Sequence, residues 1–457
     1  MKTNVACTVV LAFAVGFITV AGVARAEDPK IPHERYRLPN GLEVILHQDN
    51  NVPLVAVSVW YHVGSGDEEV GKSGFAHLFE HMLFQGSENV GEDKHFAILR
   101  NIGASEVNGT TNTDRTNYFE VVPSNQIETA LWLESDRMGF FLPLLNQKSL
   151  DNQIEVVRNE RRQRLDNVPY GKTRFATAKA LYPKGHPYRY LVIGRHEDLE
   201  SSKLSDVRDF YRYWYAPANA TLGIAGDFET KEVKKLVEKW FGKFAKSSRP
   251  AHSPPKTPEV KRTRTVVKDE FATLRRIDYV WHSPAFFHEG DAELDIVADV
   301  LGSSGTGRLY QDLVLDKKLA QSVSVYQASK MFSSSFHISV MVKPSADLKK
   351  IESSIQKAVA KLQTKPITKE EFDRAVVGRE AAFVWGLEPI LSRIEQLQSY
   401  NHFVGNPDYL SKDLDRMRKT SPNKVMQTAA RLLVEGSRTE ILTVPAKAKA
   451  KTAGAKK

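Results

Sequence analysis

The chain has 457 residues, 41% of them hydrophobic and 26% charged, which fits a folded globular protein of two domains and excludes a disordered chain. The formal charge of +9 sits mostly at the ends, on Lys2 and Arg25 at the start and Lys447, Lys449, Lys451, Lys456 and Lys457 at the finish. The near-neutral remainder carries no nucleic-acid motif and no aromatic–basic platform, so no nucleic acid is expected as a partner.

Residues 1–26 have the form of an export signal: Lys2, an apolar run over 5–23, then Ala24-Arg25-Ala26 before Glu27. Small residues at those two alanine positions predict cleavage after Ala26 and a periplasmic or secreted mature protein with no stable membrane anchor. An uncleaved anchor is the alternative, because the apolar run approaches membrane-spanning length. Cys7, the only cysteine, lies at the start of that run and not after it, so a lipoprotein anchor is not expected. The mature chain then has no thiol, needs no disulfide, and cannot use sulfur to bind a metal.

Downstream, Trp60-Tyr61-His62-Val63-Gly64-Ser65-Gly66 reads as a strand running into a glycine loop. A helix follows, with apolar residues at Phe75, Leu78, Phe79, Met82 and Leu83 marking a buried face. It carries His77-Leu78-Phe79-Glu80-His81. Histidines four apart leave one face of a helix and can grip one ion, while Glu80 stands beside that ion as a proton acceptor. This is H-x-x-E-H, the inverted zinc-protease motif. The plain alternative is a helix with two ordinary histidines, yet a largely buried helix cannot carry two imidazoles and a carboxylate without a partner, and a cation is the natural one.

Asn108-Gly109 reads by itself as a turn. A helix predicted over 151–164 carries Glu160 after Val156 and Val157. Glu160 is the candidate third ligand, or else a surface carboxylate paired with Arg161 or Arg164. Residues 246–258, rich in serine and proline, form a linker between an N-terminal domain over 27–245 and a C-terminal domain over 259–445. The halves look duplicated. Val121-Val122-Pro123-Ser124 and Val156-Val157-Arg158-Asn159-Glu160 recur about 220 residues on as Val342-Lys343-Pro344-Ser345 and Val376-Val377-Gly378-Arg379-Glu380. The same shift carries the histidine motif onto Val297, Val300 and Leu301, so the second half binds no metal there and Glu380 has no ligand role. Residues 301–308, LGSSGTGR, lack the Gly-Lys-Ser/Thr of a phosphate cradle and read as a loop. Residues 446–457 are a lysine–alanine tail that cannot build a core. Strand and helix patterns mix in both halves, which gives an α+β class with two related sandwich-type domains.

Residues 31–445 resemble the pitrilysin/insulinase family of zinc metallopeptidases, above all its exported bacterial members. The likeness runs in order through GFAHLFEHMLFQGSENV (74–90), VNGTTNTDRTNYFEVVPS (107–124), LDNQIEVVRNERRQRLDNVPYG (150–171), GHPYRYLVIG (185–194) and YAPANATLGIAGDF (215–228). The resemblance implies that His77, His81 and Glu160 bind Zn2+, that Glu80 is the general base, and that Asn108 lies on an edge strand to which peptide substrate adds. Gln153 stands where the family often has a second glutamate. Val314 and Gln321 stand where family members carry an arginine and a tyrosine that stabilise the tetrahedral intermediate.

The expected activity is therefore zinc-dependent endopeptidase hydrolysis of unfolded or short peptides. The missing pair implies a related second subunit in a hetero-oligomer, with a homodimer as the other assembly. Three alternatives stay open: a weak or inactive family member serving as a binding or assembly subunit, a zinc hydrolase of non-peptide amides, and manganese or cobalt in place of zinc.

Overall fold

The computed structural model describes residues 28–251 and 255–446. The export signal over 1–26 and the tail from residue 447 on lie outside the described residues. The first half forms strands β1 (Glu34–Arg37), β2 (Glu43–Gln48), β3 (Leu54–Tyr61), β4 (Ser105–Thr111), β5 (Thr116–Pro123) and β6 (Ala220–Gly226). Its helices are α1 (Phe75–Met82), α2 (Lys94–Asn101), α3 (Ile127–Gly139), α4 (Gln147–Arg161), α5 (Gly171–Leu181), α6 (His196–Glu200), α7 (Leu204–Trp214) and α8 (Thr230–Phe241). The sheet order is β1-β2-β6-β3-β5-β4, with only β2 and β6 parallel. β3, LVAVSVWY, is rich in the β-branched and aromatic residues that suit a strand covered on both faces, and it is buried along almost its whole length.

The second half repeats the plan with β7 (Thr263–Asp269), β8 (Arg275–Ser283), β9 (Ala320–Ala328), β10 (Ser334–Val342) and β11 (Thr439–Pro445). Its helices are α9 (Asp291–Gly302), the single turn α10 (Arg308–Tyr310), α11 (Leu348–Thr364), α12 (Lys369–Gly386), α13 (Ile390–Val404), α14 (Leu410–Arg418) and α15 (Pro422–Leu432). The order β7-β11-β8-β10-β9 reproduces β2-β6-β3-β5-β4 strand for strand, again with one parallel pair, β7 with β11. Two related mixed α/β units are the architecture the duplicated motifs predict.

Each half lends the other a helix. α5 packs on β7, β8 and β11 of the second sheet, where Thr173 and Thr443 share a 2.6 Å hydroxyl contact. α13 packs on β2, β3 and β6 of the first sheet. There Glu395 accepts hydrogen bonds from Ser58 at 2.5 Å, from the Trp60 indole at 3.1 Å and from Asn117 at 2.8 Å. Close approach of α13 depends on Gly223 of β6, since a Cβ there would lie 2.5 Å from Ile394. Among the described residues no helix is long and apolar enough to cross a membrane.

Among the described residues no group of candidate metal ligands lies between the matching helices of the second half. Val297, Val300 and Leu301 are core residues of α9, at most 4% exposed. Apart from the terminal Gly302, the half-buried positions of α9 are Asp295 and Asp299, one turn apart, and both face Arg379 of α12. Arg379 also donates to the Asp295 backbone carbonyl at 2.8 Å. Glu380 is paired instead with Arg418 at 2.6 Å.

Candidate metal centre

α1 starts behind Gly74, whose φ of 90° opens the turn out of the loop that follows β3. Phe75, Leu78, Phe79 and Met82 then fix the helix in the core at no more than 4% exposure, which leaves His77 and His81 half-buried on the opposite stripe. α4 packs across that stripe and brings Glu160 to both imidazoles. The Oε2 atom of Glu160 is 3.6 Å from Nε2 of His77 and 3.4 Å from Nε2 of His81. One ligand atom from each of the three residues falls within 4.8 Å of the other two.

Those separations suit a metal better than direct bonding. They are long for hydrogen bonds, yet ligands about 2.0–2.1 Å from a tetrahedral ion stand about 3.4 Å apart. Glu160 is also prepared for one outgoing bond. Its Oε1 is held by Arg164, one turn on, at 2.7 Å, while its buried Oε2 has no hydrogen-bond partner. Burial, and then the neighbouring His81, hold the His77 imidazole down to about 4, which keeps its nitrogen lone pair available. The His81 imidazole beside it, more than His77 and Arg164, holds Glu160 below the usual carboxylate range. Two imidazoles and one carboxylate are a donor set that fits zinc with a position left open.

Glu80 lies on the same helix but points elsewhere. It is 8% exposed, and its Oε2 accepts a 2.5 Å hydrogen bond from the Thr111 hydroxyl on β4. Burial pushes its carboxyl above the ordinary range against the pull of that bond, the character of a group that can take up a proton. The role of Thr111 was not legible in the sequence. The Glu160–Arg164 pair was, as an i, i+4 spacing.

Asn108 is exposed on β4, and its amide oxygen accepts from the Gly109 N–H at 2.9 Å. The described contacts do not bring its side chain to the histidine cluster. β4 is nonetheless the last strand of its sheet, with an irregularity between Ser105 and Asn108 and a free outer edge. Gln153 is buried on α4 at 5% exposure. Val314 lies in the turn before β9 and Gln321 is its second, exposed residue. A cavity of about 710 Å³ between the halves is walled in part by Asn112, Asp114 and Arg115, just beyond β4, and by Arg276 and His337.

A second convergence of ligand-type residues, His95, Glu120 and Glu134, is fully buried. There the positive charge is already supplied by Arg137, which bonds His95 and sits 3.1 Å from Glu134. It is an ion-paired core cluster.

Comparison with known proteins points to one family of peptidases. Residues 43–185 match the family profile described as insulinase (peptidase family M16), and residues 203–377 match the one described as the peptidase M16 inactive domain. The zinc protease PqqE of Helicobacter pylori is 29% identical over 405 residues, covering 87% of this chain and 90% of that protein. An uncharacterized zinc protease of Bacillus subtilis, YmxG, is 26% identical, covering 88% of this chain and 96% of its own. The crystal structure of a protease from Helicobacter pylori aligns with a TM-score of 0.85 at 26% identity over 91% of this chain and 100% of that one. The periplasmic protease PqqL from Escherichia coli shares the fold, with a TM-score of 0.76 at 17% identity. It covers 92% of this chain in 48% of its own length.

Proposed function

The chain belongs to the pitrilysin/insulinase (M16) family of peptidases, and from that premise we propose that it is a zinc-dependent endopeptidase acting on short or unfolded peptides. Its cofactor is zinc, the metal in the names of its relatives. The observation that carries the proposal is the convergence of His77, His81 and Glu160 with Glu80 alongside but outside the ligand set. When bound, zinc supplies a Lewis acid that polarises the scissile carbonyl and acidifies water.

The residues divide the remaining work. His77, His81 and Glu160 hold the ion. Glu80 accepts a proton as water attacks the carbonyl carbon, then returns it to the amide nitrogen as the C–N bond breaks, which leaves a free amine and a carboxylate. The unpaired edge of β4 takes the peptide as an added strand through main-chain hydrogen bonds, with Asn108 beside the bound segment. An edge-strand docking mode needs extended chains, so folded proteins are poor substrates.

A related second subunit that carries the missing pair completes the enzyme in a heterodimer; a homodimer, the other assembly, brings only a second Val314 and Gln321. Val314 has no side-chain donor and Gln321 carries only a neutral amide where family members carry an arginine and a tyrosine, and loss of such a donor costs about 3–4 kcal/mol. A shared fold that fills about half of PqqL supports the pairing of two such units. Export to the periplasm accompanies this reading. The same missing pair favours one alternative, a weakly active assembly subunit.

The test uses residues 27–457 loaded with zinc, a library of quenched fluorescent peptides and a dilution series, with Glu80→Gln as control. For this chain without its partner the reading predicts weak turnover at best, and that turnover disappears in Glu80→Gln. Turnover equal in both proteins would sink it. A full specific activity, constant at every dilution, would remove the second subunit.

A further inference from the structure

We propose that Thr111 is a positioning residue for Glu80, fixing one carboxylate oxygen so that the other faces the reacting water. This deepens the peptidase reading and rests on Glu80 being its base. Four observations carry it. The Thr111 hydroxyl donates to Glu80 Oε2 at 2.5 Å, the short range of a charge-assisted bond. A threonine hydroxyl has a single proton, and the neighbouring one, on Thr116, is already given to the Val63 carbonyl at 3.0 Å. Thr116 lies 3.3 Å from Thr111 and therefore competes only as an acceptor, against a carboxylate that accepts far more strongly.

The strand beneath Thr111 is pressed against the catalytic helix. Two residues earlier, on the same face of β4, a Cβ at Gly109 would lie 2.8 Å from the Phe84 ring and 3.1 Å from Glu80 Cγ. Glu80 therefore has little room to turn away from Thr111.

The opposite face of β4 is held by the half that has no metal site. Thr110 donates to Asn117 Oδ1 at 2.6 Å, and the Asn117 amide donates to Glu395 of α13 at 2.8 Å. Arg115, stacked 5.0 Å over the Trp60 ring, donates to the Thr110 carbonyl at 2.8 Å. Thr111 thus stands on a strand clamped from both sides, and that same strand is the one proposed to receive the peptide. A plain strand threonine needs no charged partner. The match of its one proton to the one carboxylate the chemistry uses sets this residue apart.

The experiment compares zinc-loaded full chain with Thr111→Val and Thr111→Ser, using zinc content, the affinity of a peptide hydroxamate by calorimetry, and turnover. Thr111→Val is expected to keep one zinc per chain and its KM, lose about tenfold to a hundredfold in kcat, and bind the hydroxamate more weakly by a similar factor. Thr111→Ser, which keeps the hydroxyl, restores both. Hydroxamate affinity and kcat within twofold of the parent in Thr111→Val would overturn the proposal. Should Thr111→Val unfold, Thr111→Ala is read by the same criteria. A parent chain without turnover is the behaviour of an enzyme that needs its second subunit, and the hydroxamate series then decides the role of Thr111.

Discussion

Gly109 marks how little space separates β4 from α1. Gly109→Ala places a methyl group against Phe84 and Glu80, so the strand must shift by a few tenths of an ångström and carry Thr111 with it. Turnover at least tenfold lower, with zinc content unchanged, is the expected outcome in a steady-state assay beside metal analysis. At this scale the sequence was informative wherever spacing alone expresses geometry. His77, Glu80 and His81 could be read directly, because one helix turn fixes their mutual positions. Glu160 needed the family likeness, since nothing local says which of two distant helices will cross. Thr111 was silent because a hydroxyl on a strand looks the same whether its partner is a backbone carbonyl or the Glu80 carboxylate.

α9 and α12 show what replaces an ion when a duplicated site is abandoned. In the first half the counterpart helices α1 and α4 meet through two imidazoles and a carboxylate. In the second, two carboxylates meet a guanidinium, so the charges are reversed and no metal is needed. Arg379→Met leaves Asp295 and Asp299 partly buried without a counter-charge and should cost about 2–4 kcal/mol. Denaturant unfolding measures the loss, and hydrogen exchange should rise along α9 and α12. Chelating the zinc should instead loosen α1 and α4 and leave that second pair unchanged. A uniform sequence shift pointed to Val297, Val300 and Leu301, because insertions between the motifs move one helix against the other. The duplication was legible, and the register of its helices was not.

Two histidines, the half-buried His337 and the buried His186, link the fold to pH. His337 faces Arg276 and Lys330, stacks on Tyr326 and bonds the Ser335 hydroxyl; burial first, then those cations, hold it down to about 3. His186 is held at about 4 by burial, His282 and Lys330. Both pKa values lie below the unfolded value of 6.5, so the folded state binds fewer protons. That stability is complete above pH 6.5 and is lost as pH falls toward 4 and 3. Asp295, pushed up to about 7 by burial, works in the opposite sense and offsets part of the loss. Between pH 7 and 5, His337→Gln should therefore lose several degrees less in Tm than the parent, measured by calorimetry.

The exchange of α5 and α13 between the halves could not be read in advance. An apolar stripe tells that a helix face is covered, not which sheet covers it, and α5 (GKTRFATAKAL) has hardly a stripe at all. The division of labour in the intact chain is tested most directly by metal analysis of three purified proteins. The parent and Glu80→Gln should each hold one zinc per chain, and Glu160→Gln should hold far less at the same free zinc. Loss of the metal in Glu80→Gln, or full retention in Glu160→Gln, would contradict the assignment of one carboxylate as base and the other as ligand.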